Sequence, residues 1–362
     1  MFDLILFRDK QYRSYIILAV IITLAIAWTN FGHNTGDEYS QIFEYAGYKL
    51  GYVNYADIRL AEFDGHMRPS IQVWMVIAVY KLVGLFCTQV NPFVVNYIIY
   101  VFSGLLSIVA VVLFSQLVIE QIDVKLRKWF VIFSLFSWLV LYTSVHFNSD
   151  SICGKFFLIG LFFVLENKNQ ASYIKLFCGG LLFALAFACR FQIGFAIAGV
   201  MVYWLVVAIR QRAGYLNIVI ITLAILLGIF IFNIVADYYF YGTWVFSPYG
   251  YYYYNIATGT MSGFGVSPWY TYFLMVAGYL PFGPFYVLAS FYYIYKKPKS
   301  IYTTIILSYC ILHIIIGHKE VRFLMPMLVF MPLVVFILLQ DMLVKYTWVK
   351  HNINWIIKNF AS

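Results

Sequence analysis

Charged residues are scarce in this chain, and their scarcity excludes an ordinary soluble protein. Only 11% of the 362 residues are charged and 63% are hydrophobic, whereas a soluble domain is about a quarter charged and about half apolar. No polar stretch is long enough for a separate soluble domain. Heptads, internal repeats, low-complexity tracts and an inverted pair of broken helices are also absent from the sequence, and the last absence counts against a transporter.

Cysteine motifs are missing too. The five cysteines form no CxxC pair and lie mostly in apolar segments, so we expect neither a disulfide framework nor a zinc site. The net charge of +9 comes from basic residues dispersed in short loops. This dispersal argues against a nucleic-acid partner.

Apolar runs are what the sequence has in abundance. Runs long enough to cross a bilayer, about 20 residues each, recur along the whole chain. The 32 tyrosines and 35 phenylalanines include a share expected at the membrane interfaces. The chain is therefore predicted to be an all-α, multi-pass membrane protein embedded in a lipid bilayer.

Basic residues predict the orientation in the membrane through the positive-inside rule. Arg8, Lys10 and Arg13 precede the first apolar run, at 15–31, and place the N-terminus in the cytoplasm. Residues 25–27 also resemble a signal-peptidase site, but the long basic lead-in favours a membrane span. The basic loop at 125–128 lies inside only if the segment 71–87 lies along the outer interface or re-enters the membrane.

With that placement, the topology has ten spans and both termini inside. The expected spans are at about 15–31, 93–118, 129–145, 153–166, 174–189, 192–209, 215–236, 269–294, 301–316 and 323–343. The later inside loops carry Lys168, Lys175, Arg210, Arg212, Lys296, Lys297, Lys299, Lys345, Lys350 and Lys358.

Ionisable side chains from five distant segments fall on the outer face in this topology. They are Asp37, the segment 146–150, Arg190, Asp237 and the segment 318–322. Ionisable residues at membrane depth are costly and usually functional. Simpler interpretations remain open: a solvated loop acid at 37, a helix cap at 148–150 and a snorkelling side chain at 190.

The two ends of the chain supply complementary chemistry. A carboxylate at Asp37, near the outer surface, can accept a proton from an attacking hydroxyl. His318, Lys319 and Arg322 place up to three donors or cations where the positive-inside rule disfavours them, and such a cluster can hold a phosphate. A base and a phosphate clamp on one leaflet predict attack on a lipid-linked phosphosugar, with the lipid phosphate as leaving group.

Aromatic residues dominate the predicted external loop 237–268. An interfacial belt explains much of this composition. Trp and Tyr also provide stacking surfaces for sugar rings, and Asn and Tyr can hold hydroxyl groups. The loop is therefore a candidate for sugar recognition.

The motif GHKEVRFLMP at 317–326 resembles the HKE-x-RF-x-x-P signature of glycosyltransferase family 22. These are polyprenyl (dolichyl) phosphate-mannose-dependent mannosyltransferases with the GT-C fold. Four further blocks, in the family's order, are similar to its other motifs: GDEYSQIFE, HFNSDS, DYYFYGTW…YYN and GVSPWYTYF…LPFGPF. The matches reach from about residue 33 to 327, which is most of the chain.

The resemblance implies roles for individual residues. Asp37 would be the catalytic base, and the donor phosphate would bind His318, Lys319 and Arg322. Arg190, at an outer span end, is a further candidate for the donor phosphate. The candidate sugar-binding or acceptor-binding residues are Glu38, Glu44, Arg68, Asn148, Asp150, Asp237, Tyr241, Trp244, Asn255 and Trp269. No metal ligand is assigned, although a divalent cation (Mg or Mn) near Asp37 and Glu38 is a candidate cofactor.

Departures from the family pattern bear on the source and the substrates. Gly36 stands where proline is common, His146 replaces an arginine, Ile152 an acid and Tyr270 a histidine. The chain is also shorter than eukaryotic members. We therefore expect a divergent member in a bacterial inner membrane, or in the endoplasmic reticulum if the source is eukaryotic.

The sequence thus predicts one GT-C domain over 1–362, with about ten spans and interfacial helices in the first external loop. Its external parts would be a catalytic loop at 32–92, the loop 237–268 and the segment 317–323. The expected activity is inverting transfer of a hexose, mannose by the resemblance, from a polyprenyl-phosphate donor to a glycan or glycolipid acceptor on the extracytoplasmic face. Two alternatives are a flippase or transporter of a lipid-linked saccharide and a polymerase or ligase that uses a pyrophosphate-linked oligosaccharide.

Overall fold

A computed structural model describes residues 5–345 apart from 31, 34, 59–60 and 167–171. The described residues form helices and loops without a strand, which confirms the all-helical prediction. The expected inside-loop residues Lys168, Lys350 and Lys358 lie outside the described residues.

Nineteen α-helices occur in the described residues. They are α1 (Ile5–Arg8), α2 (Lys10–Thr29), α3 (Gly36–Glu38), α4 (Glu44–Lys49), α5 (Ala61–Asp64), α6 (Ile71–Gly84), α7 (Pro92–Val118), α8 (Val124–Phe136), α9 (Trp138–Val145), α10 (Ser149–Leu165), α11 (Tyr173–Cys189), α12 (Gly194–Gln211), α13 (Tyr215–Ile229), α14 (Ala236–Tyr241), α15 (Ser247–Tyr252), α16 (Thr271–Tyr279), α17 (Gly283–Lys296), α18 (Ile301–Ile315) and α19 (Met331–Lys345). Short 3₁₀ segments (Ile119–Gln121, Phe191–Ile193, Thr260–Phe264, Val321–Phe330) and π segments (Tyr39–Phe43, Phe230–Val235, Tyr253–Ala257) extend or join them.

Six helical stretches in the described residues are long and apolar enough to cross a bilayer. They are Lys10–Thr29, Pro92–Gln121, Val124–Val145, Phe191–Gln211, Tyr215–Tyr241 and Val321–Lys345. The protein is accordingly a membrane protein. Ile71–Gly84, Tyr173–Cys189 and Ile301–Ile315 are apolar but shorter, so the count of ten spans and the interfacial placement of 71–87 stay predictions.

The predicted span at 269–294 contains two helices instead of one. Its chain breaks between α16 and α17, because Pro281 disfavours helical backbone at the residue before it, and Leu280 is extended with φ −100° and ψ 135°. Phe282 then takes a left-handed φ of 58°. The two helices fold against each other, and the rings of Phe273 and Phe291 stack with centroids 5.6 Å apart.

Small residues allow α10, α11 and α13 to pack closely at the centre of the bundle. A Cβ atom on Gly160 of α10 would lie 3.0 Å from the carbonyl oxygen of Gly179, and the reverse distance is also 3.0 Å. A Cβ atom on Gly180 of α11 would lie 2.6 Å from the Cβ of Ala224 and 2.8 Å from the carbonyl oxygen of Ile221, both on α13. Close backbone approach through glycine is the usual packing mode of membrane helices.

A buried lysine stabilises the backbone between α9 and α10. Lys155 is 6% exposed, and its Nζ donates to Ser103 Oγ at 2.6 Å and to the carbonyl oxygen of Ser144 at 2.7 Å. The carbonyl oxygen of His146 lies 3.4 Å from the same nitrogen. Lys155 therefore satisfies carbonyl groups left open where α9 ends, and it fixes the residues just before α10.

We expect Gly180→Leu to destabilise the bundle, because the new side chain collides with the backbone of α13 and overpacking costs about 1–3 kcal/mol or more. The measurement is the midpoint of thermal unfolding of purified protein in detergent. Gly278→Leu is the matched control, since a Cβ atom there meets no described atom within 4 Å. Equal midpoints for the two variants would contradict the packing described for α11 and α13.

Candidate active site

Two segments from opposite ends of the sequence meet at one end of the helix bundle. Arg322 Nη1 lies 2.6 Å from Asp37 Oδ2, and the side chain of Asp37 is 36% exposed while that of Arg322 is 17% exposed. Asp37 belongs to the short helix α3, and Arg322 belongs to the 3₁₀ segment that leads into α19. The carboxylate and the guanidinium that sequence reasoning assigned to base and clamp are thus in direct contact.

The guanidinium of Arg322 is shared between two carboxylates. Its Nε lies 2.6 Å from Glu320 Oε2, and its Nη2 donates to Glu320 Oε1 at 2.9 Å. His318 Nε2 lies 3.0 Å from that same Oε1. Burial opposes ionisation of Glu320, but the hydrogen bonds from Arg322 and His318 outweigh it and lower the pKa of this carboxyl.

A second buried cation approaches the same aromatic ring as Arg322. Arg190 Nε lies 3.1 Å from Asp150 Oδ1, and both side chains are buried. The guanidinium carbons of Arg190 and Arg322 lie 5.1 Å and 5.6 Å from the centroid of Phe323. Tyr309 of α18 donates its hydroxyl to the carbonyl oxygen of Phe323 at 2.6 Å, which fixes this residue beside the two cations.

Lys319 contacts the backbone at the end of α18. Its Nζ donates to the carbonyl oxygens of Ile316 at 2.6 Å, Ile314 at 2.8 Å and His313 at 3.3 Å. Burial lowers the pKa of Lys319. A cation at this position stabilises the helix C-terminus, so phosphate binding by Lys319 stays a prediction that requires it to exchange one of these carbonyls.

Glu38 anchors the helix that carries Asp37. Its side chain is fully buried, and its Oε1 accepts a hydrogen bond from the backbone N–H of Phe147 at 2.7 Å. Its Oε2 lies 3.6 Å from His146 Nδ1. Asp37 and Glu38 therefore bind different partners, and the described residues include no group of three or more His, Cys, Asp or Glu that could hold a metal ion. The candidate divalent cation near Asp37 and Glu38 stays a prediction.

Asp237 joins two loops in the interior of the protein. It is fully buried, and its Oδ1 accepts from the backbone N–H of Ser70 at 2.8 Å and from Ser70 Oγ at 2.7 Å. Its Oδ2 accepts from Ser247 Oγ. These bonds tie the start of α6 to the residues that follow α14, so Asp237 positions both loops in this structure.

The remaining predicted residues make local contacts or are exposed. Asn148 caps α10, because its Oδ1 accepts from the N–H of Ser151 at 2.7 Å, and Tyr241 donates its hydroxyl to the carbonyl oxygen of Arg68 at 2.8 Å. Trp244 is exposed and stacks on Tyr238 with centroids 4.4 Å apart. Glu44 begins α4, Asn255 Nδ2 donates to the carbonyl oxygen of Tyr251 at 3.1 Å, and Trp269 is exposed.

Two cavities adjoin these residues. A polar cavity of about 20 Å³ is lined by Arg68 and Arg190 together with Gln41, Gln72 and Gln192. An apolar cavity of about 310 Å³ lies between α16, α17, α18 and residues 321–334. Its lining includes residues 321 and 324, on either side of Arg322 and Phe323.

The sequence of this chain is similar to those of known proteins. The sequence profile of the Alg9-like mannosyltransferase family matches residues 14–361. The chain belongs to this family. GPI mannosyltransferase 3 of Candida albicans is 26% identical over 334 residues, which is 88% of this chain and 63% of that protein, so the chain spans less than two thirds of this relative's length. No solved structure matches the chain.

Family membership confirms the resemblance inferred from the HKE-x-RF motif, and the structure adds residues that the motif did not explain. Glu320 bridges His318 and Arg322, and the ring of Phe323 is approached by two guanidinium groups. Gln41 is part of the GDEYSQIFE block, whereas Gln72 and Gln192 carry no charge and lie in apolar contexts, so no sequence signal singled out these two. Their proximity depends on how the helix ends meet.

We expect Lys319→Met to lower the midpoint of thermal unfolding in the absence of any substrate, because three carbonyl oxygens at the end of α18 lose a charged donor. Hydrogen bonds to charged groups contribute roughly 1.5–3 kcal/mol. Lys299→Met, at an exposed position, is the matched control. An unchanged midpoint for Lys319→Met would show that the ammonium does not stabilise this helix end.

Proposed function

We propose that this protein transfers a mannosyl residue from a polyprenyl-phosphate donor to a glycan or glycolipid acceptor, with inversion at the anomeric carbon. The observation that carries the proposal is the contact between Asp37 Oδ2 and Arg322 Nη1 at 2.6 Å. A proton acceptor and a phosphate-binding cation have to lie on either side of one anomeric carbon in such a reaction. Family membership and the apolar cavity beside residue 321 support the same donor class.

The donor fits the site in one orientation. Its polyprenyl tail would occupy the apolar cavity, whose lining residues 321 and 324 flank Arg322 and Phe323. Its phosphate would then lie at the guanidinium of Arg322, with His318 nearby and Arg190 beside the same Phe323 ring. This placement brings the anomeric carbon towards Asp37.

The proposed chemical step is a single displacement. The acceptor hydroxyl oxygen forms a bond to the anomeric carbon while the bond from that carbon to the phosphate oxygen breaks. The hydroxyl proton passes to Asp37, and polyprenyl phosphate leaves with the electron pair. Arg322 stabilises the charge that develops on the leaving phosphate, and a β-linked donor yields an α-linked product.

The charge balance of the site implies an order of events. Arg322 already contacts Asp37 and Glu320, so an incoming phosphate competes with Asp37 for the guanidinium. When the phosphate takes that place, the carboxylate of Asp37 is released to accept a proton. Donor binding would therefore prepare the base before the acceptor hydroxyl attacks.

The proposal also includes a GT-C fold with ten spans and an active site on the extracytoplasmic face. Support comes from the gathering of Asp37, Asp150, Arg190 and Arg322 at one end of the bundle, because the positive-inside rule places that end outside. The loops 32–92 and 237–268 and the segment 317–323 would then form the external part. The acceptor and the membrane in which the protein resides stay predictions.

We expect Asp37→Asn to reduce mannosyl transfer at least a hundredfold, because a general base contributes about 10²–10⁴ to the rate. The assay uses purified protein with a panel of polyprenyl-phosphate sugars, and polyprenyl phosphate binding is measured in parallel. Binding should tighten in Asp37→Asn, since the competing carboxylate is neutralised. Asp57→Asn, in the same loop and exposed, is the control.

Full activity of Asp37→Asn would remove this residue as the base. If wild-type protein turns over no monophosphate donor, a flippase or an enzyme using pyrophosphate-linked oligosaccharides becomes the better interpretation.

We expect Arg322→Gln to raise the KM for the donor roughly tenfold to a hundredfold, with a smaller effect on the KM for the acceptor. A hydrogen bond to a charged group contributes about 1.5–3 kcal/mol, and only the donor carries the phosphate. Steady-state kinetics with each substrate varied in turn provide the measurement. The exposed Arg210→Gln is the control, and equal effects on both substrates would count against the phosphate clamp.

A further inference from the structure

The polar cavity shares Arg190 with the proposed phosphate-binding cluster and adds residues that the cluster does not contain. Gln41, which lines it, follows Asp37 by four residues along the helical stretch 36–43. This stretch passes from α3 into the π segment Tyr39–Phe43, so one short helical stretch carries both the proposed base and part of the cavity wall.

The cations in the cavity wall are already neutralised. Arg68 Nη2 lies 2.6 Å from Glu62 Oε1, and its Nε donates to Glu62 Oε2 at 3.0 Å. Arg190 lies 3.1 Å from Asp150. Each guanidinium has a carboxylate of its own, so the wall favours a neutral hydroxyl over an anionic group.

One polar group in the wall lacks a partner. Gln192 is 9% exposed, and its Nε2 donates to the hydroxyl of Tyr251 at 3.0 Å. Its Oε1 is buried and finds no hydrogen-bond partner among the residues that the structure describes. Leaving such an acceptor unpaired is unfavourable. If the side-chain amide is flipped by 180°, its nitrogen is left without a partner instead.

Two neighbouring groups in the wall are held by other residues. Gln72 donates to the carbonyl oxygen of Phe147 at 2.8 Å and accepts from Ser149 Oγ at 2.8 Å. Tyr251 is held by Phe191, whose ring centroid lies 5.8 Å from its own, and by the guanidinium of Arg68 at 5.5 Å. A cavity of about 20 Å³ holds one water-sized group.

We propose that this cavity is an acceptor subsite that takes one neutral hydroxyl group of the acceptor sugar, which donates its hydrogen to Gln192 Oε1. The inference rests on the proposed function, because it treats the ligand as the glycosyl acceptor. A rigid, desolvated acceptor atom rejects an analogue that lacks the matching hydroxyl. Gln192 is then a specificity-determining residue, while Asp37 and Arg322 serve the chemistry.

The test measures binding of octyl α-mannoside and its four monodeoxy analogues to full-length protein saturated with polyprenyl phosphate. Wild type should bind one deoxy analogue about three- to tenfold more weakly than the parent, which corresponds to one neutral hydrogen bond. Gln192→Leu should bind the parent more weakly by the same factor and should no longer discriminate against that analogue. Its affinity for polyprenyl phosphate should not change.

Gln116→Leu is the matched control. Gln116 is half-buried in α7 and accepts from the N–H of Leu6 at 3.2 Å, so its loss affects folding without touching the cavity, and discrimination among the analogues should persist. Equal binding of all analogues by wild type and Gln192→Leu means that the cavity holds only a water, and it overturns the inference. So does a wild type that binds none of the sugars.

Binding is read without turnover, so the two proposals fail separately. A protein that discriminates through Gln192 but transfers no sugar retains the subsite and loses the proposed activity. A protein that transfers sugar but shows no effect of Gln192→Leu retains the activity and loses the subsite.

Discussion

The contact between Asp37 and Arg322 is the constraint on which the candidate site depends. One guanidinium serves two carboxylates, at 2.6 Å from Asp37 and 2.6 Å from Glu320. Because a partly buried charge without a counter-charge is strongly unfavourable, the helix ends that supply these groups must come together. The ion pair thus joins the first loop to the segment before α19, and it places the reactive groups as a consequence.

Other ionisable residues act on the backbone where helices stop. Lys155 binds carbonyl oxygens between α9 and α10, Lys319 binds those at the end of α18, and Glu38 accepts the N–H of Phe147. Asp237 accepts the N–H of Ser70. In a bilayer every backbone polar group needs a partner inside the protein. These charged side chains are therefore needed where the helices of the bundle are interrupted. The same interruptions carry the residues of the candidate site.

Much of this could be predicted from the sequence, and the limits have physical causes. Apolar runs and loop charges predicted a helical membrane protein, and a motif predicted the family. The pairing of Asp37 with His318–Arg322 required only that both segments lie at one end of the bundle. The break at Leu280–Phe282 could have been found from Pro281, since a proline disfavours helix at the preceding residue, but the hydropathy of 269–294 concealed it.

Roles of single side chains were harder to predict. A lysine that binds phosphate and a lysine that caps a helix have the same sequence context, and only the direction of the side chain separates them. Lys319 is the example here, with three carbonyl partners. Neutral residues such as Gln192 gave no signal, because their importance comes from an unpaired atom in a cavity built by distant segments.

The lysine within α10 has a consequence for how the chain enters the membrane during synthesis. Almost all of α10 is buried, and a charged residue in its first half opposes insertion of that helix by itself. The groups that solvate the ammonium, at Ser103, Ser144 and His146, all precede Lys155 in the sequence. The ribosome therefore delivers the partners before the cation that needs them, so α10 can assemble onto helices that have already emerged.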